Sequence, residues 1–133
     1  MLYMLDTDMC VYISRRNNLK VSARFQRCAE GELGVSVVTY GELRLGAENS
    51  VHRRTALSEL DKFTSAVPVL SMERQVAEIY ATTRLDLQKR GQIIGNNDLW
   101  IAAHCLQLRM TLVTNNEREF RRIPNLAIEN WTR

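Results

Sequence analysis

The segment LYMLDTD, residues 2–8, joins a short apolar run to two carboxylates. Four consecutive apolar residues, 2–5, are typical of a buried strand. If that strand continued through Asp8, the Asp6 and Asp8 side chains would share one face and repel each other. A strand that ends near Asp6 instead leaves this carboxylate at the strand's carboxyl end and leaves Asp8 free to cap a helix. The segment therefore predicts a strand, an acidic strand end and the start of a helix.

Segments with strand-like and helix-like patterns alternate along the rest of the chain. The predicted strands lie at 2–5, 34–38, 67–70, 110–113 and 126–128. The predicted helices lie at 9–16, 19–28, 39–47, 52–66, 71–90, 98–109 and 117–122. This alternation predicts an α/β fold with a mostly parallel central sheet of four to five strands flanked by helices. No linker or repeat interrupts the 133 residues, so we expect a single domain over 1–133.

The composition is that of a globular protein, with 45% apolar and 25% charged residues and a formal net charge of +3. No apolar run is long enough for a membrane span, and Asp6 interrupts any signal-peptide core. We therefore expect a cytoplasmic protein without a membrane partner. Cys10, Cys28 and Cys105 lack metal-binding spacing and are expected to be free thiols.

Acidic and amide side chains recur where the predicted strands end. Asp6 ends the first strand, and Glu42 lies in the first turn of the helix after the second. Asp98 opens the helix before the fourth strand, whose carboxyl end is followed by three further polar residues: Asn115, Asn116 and Glu119. Ligands of open α/β sheets bind beyond the carboxyl ends of the strands. We therefore expect these side chains to lie close together.

Each acid also has a local explanation. Thr39 and Glu42 have the spacing of a helix capping box, and Asp8 suits an N-cap. Asp98 near a helix start is favoured by the helix dipole, and Glu119 could be a solvated residue. Capping does not, however, require acids at so many strand ends at once.

Crowded carboxylates repel one another unless a cation compensates them. Oxygen-rich sites favour hard ions such as Mg²⁺ or Mn²⁺, which can activate water and neutralise charge on a phosphoryl group. Metal-assisted hydrolysis of a phosphate ester is the chemistry that these residues favour. The sequence also offers basic residues that could hold a polyanion: Arg15, Arg16, Lys20, Arg24, Arg27, Arg118, Arg121 and Arg122.

Four segments, in order and covering nearly the whole chain, resemble the VapC-type toxins of the PIN-domain ribonuclease family. They are MLDTD, SVVTYGELRLGAE, IGNNDLWIAAH and TLVTNNEREFRRIPNLAIENW. The resemblance implies a three-layer PIN-like fold and a Mg²⁺- or Mn²⁺-dependent endoribonuclease that cleaves RNA, in many members tRNA, and so inhibits translation. It also implies neutralisation by a cognate VapB-like antitoxin of a type II toxin–antitoxin module, and makes a homodimer plausible.

The resemblance assigns roles to side chains at the strand ends. It implies catalytic roles for Asp6, Glu42, Asp98 and Glu119, and metal binding by these four together with Asn116. It implies that Thr114 orients a carboxylate or a water, and that hydrolysis leaves a 5′-phosphate and a 3′-hydroxyl. Two positions differ from the usual family pattern, because Asp8 replaces an asparagine and Asn116 replaces an aspartate. The number of bound ions therefore stays open.

Two other functions are compatible with parts of the sequence. Asp6 and Asp8 are spaced like the nucleophile and general acid of haloacid-dehalogenase phosphatases, but Cys10 stands where those enzymes have a threonine and no lysine follows Lys89. The second alternative is a non-catalytic RNA-binding domain whose acids only cap helices. His104 is expected to be a hydrogen-bonded core residue, and Trp100 is expected to serve packing rather than base stacking.

Overall fold

A five-stranded parallel sheet forms the centre of the computed structural model, which describes residues 1–133. The strands are β1 (Tyr3–Leu5), β2 (Leu33–Ser36), β3 (Val69–Leu70), β4 (Thr111–Val113) and β5 (Ile128–Glu129). Their order is β3-β2-β1-β4-β5, and every neighbouring pair is parallel. The helices are α1 (Thr7–Arg15), α2 (Leu19–Arg27), α3 (Val37–Glu48), α4 (Arg53–Ala66), α5 (Arg74–Lys89), α6 (Asn96–Leu108) and α7 (Glu117–Phe120). The predicted α/β class is confirmed.

The strand register divides the core into two layers. Met4 of β1 pairs with Leu112 of β4, and Leu5 pairs with Val113. Because successive side chains point to opposite faces of a sheet, the first pair packs with apolar residues of α5 and α6, and the second with those of α1 and α2. Helices therefore cover both faces, in the three-layer arrangement that the resemblance implied.

The second strand ends earlier than its sequence suggests. The β-branched run at 34–38 predicted a strand, but Ser36 is the N-cap of α3 and its hydroxyl accepts the Val38 N–H at 3.1 Å. Val37 lies in the first helical turn and is 42% exposed. Thr39 is consequently a buried residue inside the helix, so the predicted capping box with Glu42 is wrong.

Three other predicted boundaries were displaced. α5 begins at Arg74 rather than at Ser71, and the N-cap of α6 is Gly95 instead of Asn96 or Asn97. The last strand lies slightly later than predicted, at Ile128–Glu129. The predicted stop of α5 is confirmed, because Gly91 follows the C-cap with a φ of +65° that glycine adopts without strain.

His104 is fully buried in α6, as predicted. Its Nε2 lies 3.1 Å from the Ser71 carbonyl oxygen, which can only accept, so Nδ1 accepts the Ser36 hydroxyl at 2.8 Å. Burial lowers the pKa of His104, which favours this neutral form. Trp100 stacks on Tyr80 with a centroid distance of 3.8 Å, consistent with packing.

All three cysteines are free, with Cys10 and Cys105 buried. None of the helices has the length and apolarity needed to cross a lipid bilayer.

Candidate active site

Asp6 follows β1 directly and is the N-cap of α1. Its Oδ1 accepts the Met9 N–H at 2.9 Å, so the strand ends at Leu5 and the helix begins at Thr7. The prediction that Asp8 caps this helix is wrong. Asp8 is an exposed residue of the first turn, because Asp6 already occupies the capping position.

Asp6 as a whole residue is only 5% exposed. Its pKa is raised to about 6, chiefly by burial, and the nearby charges of Asp8 and Asp98 contribute to this rise. Hydrogen bonding to Thr114 and to the Met9 N–H acts in the opposite direction. Asp6 therefore combines a structural capping role with a carboxylate that is costly to ionise in its surroundings.

Asp98 lies in the first turn of α6, on the far side of the sheet from α1. Its pKa is raised to about 6. Burial is the largest cause, and the negative charges of Glu42, Glu119 and Asp8 are the next largest. Charges from three other elements thus act on one carboxyl group. Asp98 therefore lies near acids of α1, α3 and α7, at the carboxyl edge of the sheet.

Glu42 lies in the second turn of α3 rather than the first, because the helix begins at Val37. The Thr7 hydroxyl donates to Glu42 Oε1 at 2.5 Å, and the Asn97 amide donates to Oε2 at 3.4 Å. These donors come from α1 and α6, the helices that carry Asp6 and Asp98 near their first turns. The contacts therefore join three helices around one acidic surface.

Asn116 and Glu119, from the segment after β4, extend the acidic surface formed by α1, α3 and α6. The Asn116 amide nitrogen donates to Glu119 Oε2 at 2.5 Å, which leaves the amide oxygen of Asn116 for another partner. The Asn116 N–H donates to the hydroxyl of buried Thr114 at 2.9 Å, immediately after β4. Thr114 thus contacts both the β4 turn and Asp6.

We call this set the acidic edge: Asp6, Asp8, Glu42, Asp98, Asn116 and Glu119. None of its five carboxylates takes part in a salt bridge, although eight such bridges involve other acids of the chain. Its hydrogen-bond donors are neutral hydroxyl, amide and backbone groups. The negative charge is therefore concentrated without an internal cation.

The donor set fits a hard divalent ion, because every available ligand atom is an oxygen. An ion placed there would also lower the raised pKa of Asp6 and Asp98 by stabilising their charged forms. The side chains are nevertheless not drawn into one tight cluster, and no three His, Cys, Asp or Glu residues are arranged so that they could hold a metal ion. Glu42 and Glu119 are instead engaged by Thr7, Asn97 and Asn116.

Sequence reasoning missed the contributions of Thr7 and Asn97. Each is adjacent to an acid in a short polar triplet, Asp6-Thr7-Asp8 and Asn96-Asn97-Asp98, and this adjacency is the only available signal. Their common partner, Glu42, is 35 and 55 residues away in sequence. A contact of that range is decided by the packing of α3 between α1 and α6.

Comparison with known proteins agrees with this geometry. The family model described as "PIN domain" matches residues 3–126. The "Ribonuclease VapC2" of Rickettsia felis is 39% identical, with 98% of each chain covered. The "tRNA(fMet)-specific endonuclease VapC" of Shigella flexneri is 33% identical, again with 98% of each covered.

A solved structure gives the same result. The chain superimposes with a TM-score of 0.92 on a chain of the structure of VapBC-1 from nontypeable Haemophilus influenzae, at 36% identity and with 100% of both chains covered. The chain therefore belongs to the PIN-domain family, in its VapC-type branch.

Proposed function

We propose that this protein is the toxin of a type II toxin–antitoxin module and acts as a Mg²⁺- or Mn²⁺-dependent endoribonuclease. The observation that carries the proposal is that acids from separate elements are held at one edge of the sheet by neutral hydrogen-bond donors, and that none of them forms a salt bridge. The family relatives named as ribonucleases and as a tRNA endonuclease support the choice of RNA as substrate.

Asp6 and Asp98 are proposed to hold the metal ion through their carboxylates. Glu42, Glu119 and the amide oxygen of Asn116 complete the oxygen ligands, directly or through water. A bound ion would lower the pKa of a coordinated water and neutralise charge on the phosphoryl group. Thr7 and Asn97 orient Glu42, whereas Thr114 supports Asp6 and the Asn116 turn.

The substrate is proposed to be a structured RNA, most simply a tRNA. This rests on the Shigella flexneri relative, which is named a tRNA(fMet)-specific endonuclease. The edge offers carboxylates rather than an activated serine, cysteine or histidine. Hydrolysis by an oriented water, leaving a 5′-phosphate and a 3′-hydroxyl, is therefore the reaction that we propose.

The proposed partner is a VapB-like antitoxin. It is supported by the similar solved structure, which is described as VapBC-1. Co-expression with the neighbouring open reading frame should restore growth of cells that produce the toxin, and the two proteins should co-purify. Growth arrest that persists with no complex formed would contradict this part of the proposal.

The nuclease proposal is tested with purified wild-type protein, Asp98→Asn and the matched control Asp61→Asn, an exposed acid on α4. Each is incubated with total tRNA in Mn²⁺, in Mg²⁺ or in EDTA, and the new RNA ends are mapped. We expect one discrete cut by wild type and Asp61→Asn with metal, and none by Asp98→Asn or in EDTA. Full cleavage in EDTA, or by Asp98→Asn, would overturn the assignment.

A further inference from the structure

A cavity of about 450 Å³ opens beside the carboxyl end of β5. Two segments line it, one from α2 and the other from the end of the chain. The lining residues are Lys20, Ala23, Arg24, Arg27, Glu129, Asn130, Trp131 and Arg133. We call it the basic cavity.

The lining of the basic cavity has an excess of positive charge. Its lining holds four of the chain's 18 basic residues and only one of its 15 acidic residues, so the 14 of each sign that remain elsewhere cancel. A second cavity, of about 350 Å³ near the amino end of β2, is lined mainly by apolar residues such as Phe25, Leu33 and Val67. The basic cavity thus differs from its apolar counterpart in being suited to an anion.

Arg24 is built into the wall of the basic cavity. Its guanidinium lies 5.3 Å from the Tyr3 ring centroid and 5.0 Å from that of Trp131, and it donates to the Tyr3 hydroxyl at 3.2 Å. Glu129 accepts from Arg24 at 3.4 Å and from the Trp131 indole at 3.0 Å. These contacts fix one positive charge in a defined orientation.

Lys20 and Arg27 are the adaptable charges of the basic cavity. They lie four residues before and three residues after Arg24, on the same face of α2. Both are exposed, and neither forms a salt bridge. Arg133, by contrast, is held by Glu117 at 2.7 Å.

Hydrogen bonds from the basic cavity reach the turn after β4, which also carries part of the acidic edge. The Asn130 amide donates to Asn115 Oδ1 at 3.3 Å and to Glu117 Oε2 at 2.9 Å. Asn115 and Glu117 flank Asn116, which donates to Glu119. The two sites therefore lie on the same carboxyl side of the sheet, joined through the turn after β4.

We propose that the basic cavity binds a backbone phosphate of the RNA substrate, away from the phosphodiester that is cut. The proposal rests on the nuclease function proposed above. Lysine and arginine contacts to phosphates position a nucleic acid without reading its sequence. Lys20 and Arg27 supply such contacts, and Arg24 fixes the wall against which the strand lies. The polar lining and its excess of positive charge favour RNA over an antitoxin segment as the occupant.

The test measures binding separately from cleavage, in the Asp98→Asn background. Initiator tRNA is titrated at several salt concentrations against the double variant Lys20→Ala/Arg27→Ala, the cavity pair. The control pair is the double variant Arg54→Ala/Lys89→Ala, which removes two exposed cations without salt bridges, one on α4 and one on α5. Both pairs remove the same charge. We expect the cavity pair to weaken binding about tenfold and to flatten the plot of log K against log salt by about 1 to 2 units. The control pair should change binding less than about twofold.

A second measurement uses the same two double variants with Asp98 intact. The cavity pair should raise KM for tRNA while kcat at saturation stays unchanged. Equal losses in both pairs, or no loss in the cavity pair, would overturn the proposal. So would loss of antitoxin co-purification with tRNA binding intact, since the cavity would then be a protein-docking surface. If tRNA binds through the cavity but the intact protein cuts no RNA, the nuclease proposal fails, and what stands of this inference is RNA binding by the basic cavity.

Discussion

The acidic edge and the basic cavity lie on the same side of one sheet but hold their charges in opposite ways. At the acidic edge, carboxylates from four elements face one another with only neutral donors as hydrogen-bond partners. In the basic cavity, Arg24 is stabilised internally by two aromatic rings and by Glu129. The acidic edge therefore lacks a counterion within the protein. In the basic cavity Arg24 is already paired, and only Lys20 and Arg27 remain without a partner.

This difference indicates which charged residues serve the reaction and which stabilise the fold. A charge cluster without an internal counterion costs folding free energy and requires a ligand of opposite sign. A cation held between rings contributes to the fold whether or not ligand is present. Substitution of Asp98, which caps no helix, should therefore affect chemistry more than stability, and substitution of Arg24 should show the reverse.

The largest expected effect is that of Asp98→Asn on RNA cleavage. We expect kcat/KM to fall by at least about 100-fold, because the amide cannot act as a charged ligand or proton acceptor. The melting temperature should be unchanged or slightly higher, because the raised pKa of Asp98 means that its charge is unfavourable in the folded protein. Cleavage rates and thermal unfolding of the same preparation provide the measurement. A large fall in melting temperature would contradict the claim that Asp98, unlike Arg24, contributes little to stability.

The second prediction concerns Arg24→Ala. The variant loses the contacts to both rings and the Tyr3 hydroxyl bond, and we expect the free energy of unfolding to fall by about 1 to 2 kcal/mol. Lys20→Ala, one turn away, should change it by less than about 0.5 kcal/mol, because its side chain is exposed and unpaired. Urea unfolding curves of the two variants compare them directly. Equal stability would show that Arg24 is not a structural element of the cavity wall.

The third prediction uses pH in the absence of divalent ions. The pKa of Asp98 is about 6 in the folded protein and 3.8 as its ordinary value, so the folded state binds more protons between these values. Stability from this group is therefore full below about pH 4 and declines as pH rises to about 6. Relative to wild type, Asp98→Asn should gain about 1 kcal/mol across that window, allowing for partial solvent screening.

Unfolding free energies of both proteins at pH 4 and pH 7 in EDTA measure this difference. Adding Mg²⁺ at pH 7 should stabilise wild type more than the variant, because only wild type offers the full set of charged ligands. A difference that does not vary with pH would contradict the raised pKa.

The smallest expected effect is that of Thr7→Val. This substitution keeps the shape but removes the hydroxyl that donates to Glu42. We expect kcat to fall about three- to tenfold through misplacement of Glu42, with little change in KM. Thr82→Val is the matched control, because its exposed hydroxyl bonds only to backbone carbonyls of its own helix. Equal activity of the two variants would mean that Glu42 needs no support from Thr7.

The sequence was most informative where local pattern and burial agreed. The apolar runs predicted each strand of the sheet, and strand–helix alternation predicted that the sheet is parallel. The predicted α5 stop at Gly91 is also confirmed, since a positive φ favours glycine for local reasons. The predicted ends of elements were wrong where a capping residue decided between strand and helix. Ser36 is the example: it caps α3, so Val37 lies in that helix and not in the predicted strand.

For the candidate site, the sequence predicted which acids follow the strands but not how they are held. Asp6 was expected to face the site while Asp8 capped the helix, and the structure assigns the cap to Asp6. The basic residues that the sequence predicted around the site lie at different places in the structure. Lys20, Arg24 and Arg27 line one cavity, whereas Arg122 bonds the Ile93 carbonyl oxygen.

By itself, the sequence determined the α/β class, the order of the elements and the presence of acids at the strand ends, because these follow from periodicity and from chain direction in a parallel sheet. Only the tertiary structure decided that Thr7, Glu42 and Asn97 meet, that Asp98 senses charges from three other elements, and that Arg24 lies between two rings. The reason is physical: hydrogen bonds, desolvation and charge coupling depend on distances between residues far apart in the chain, and those distances are set when the layers pack.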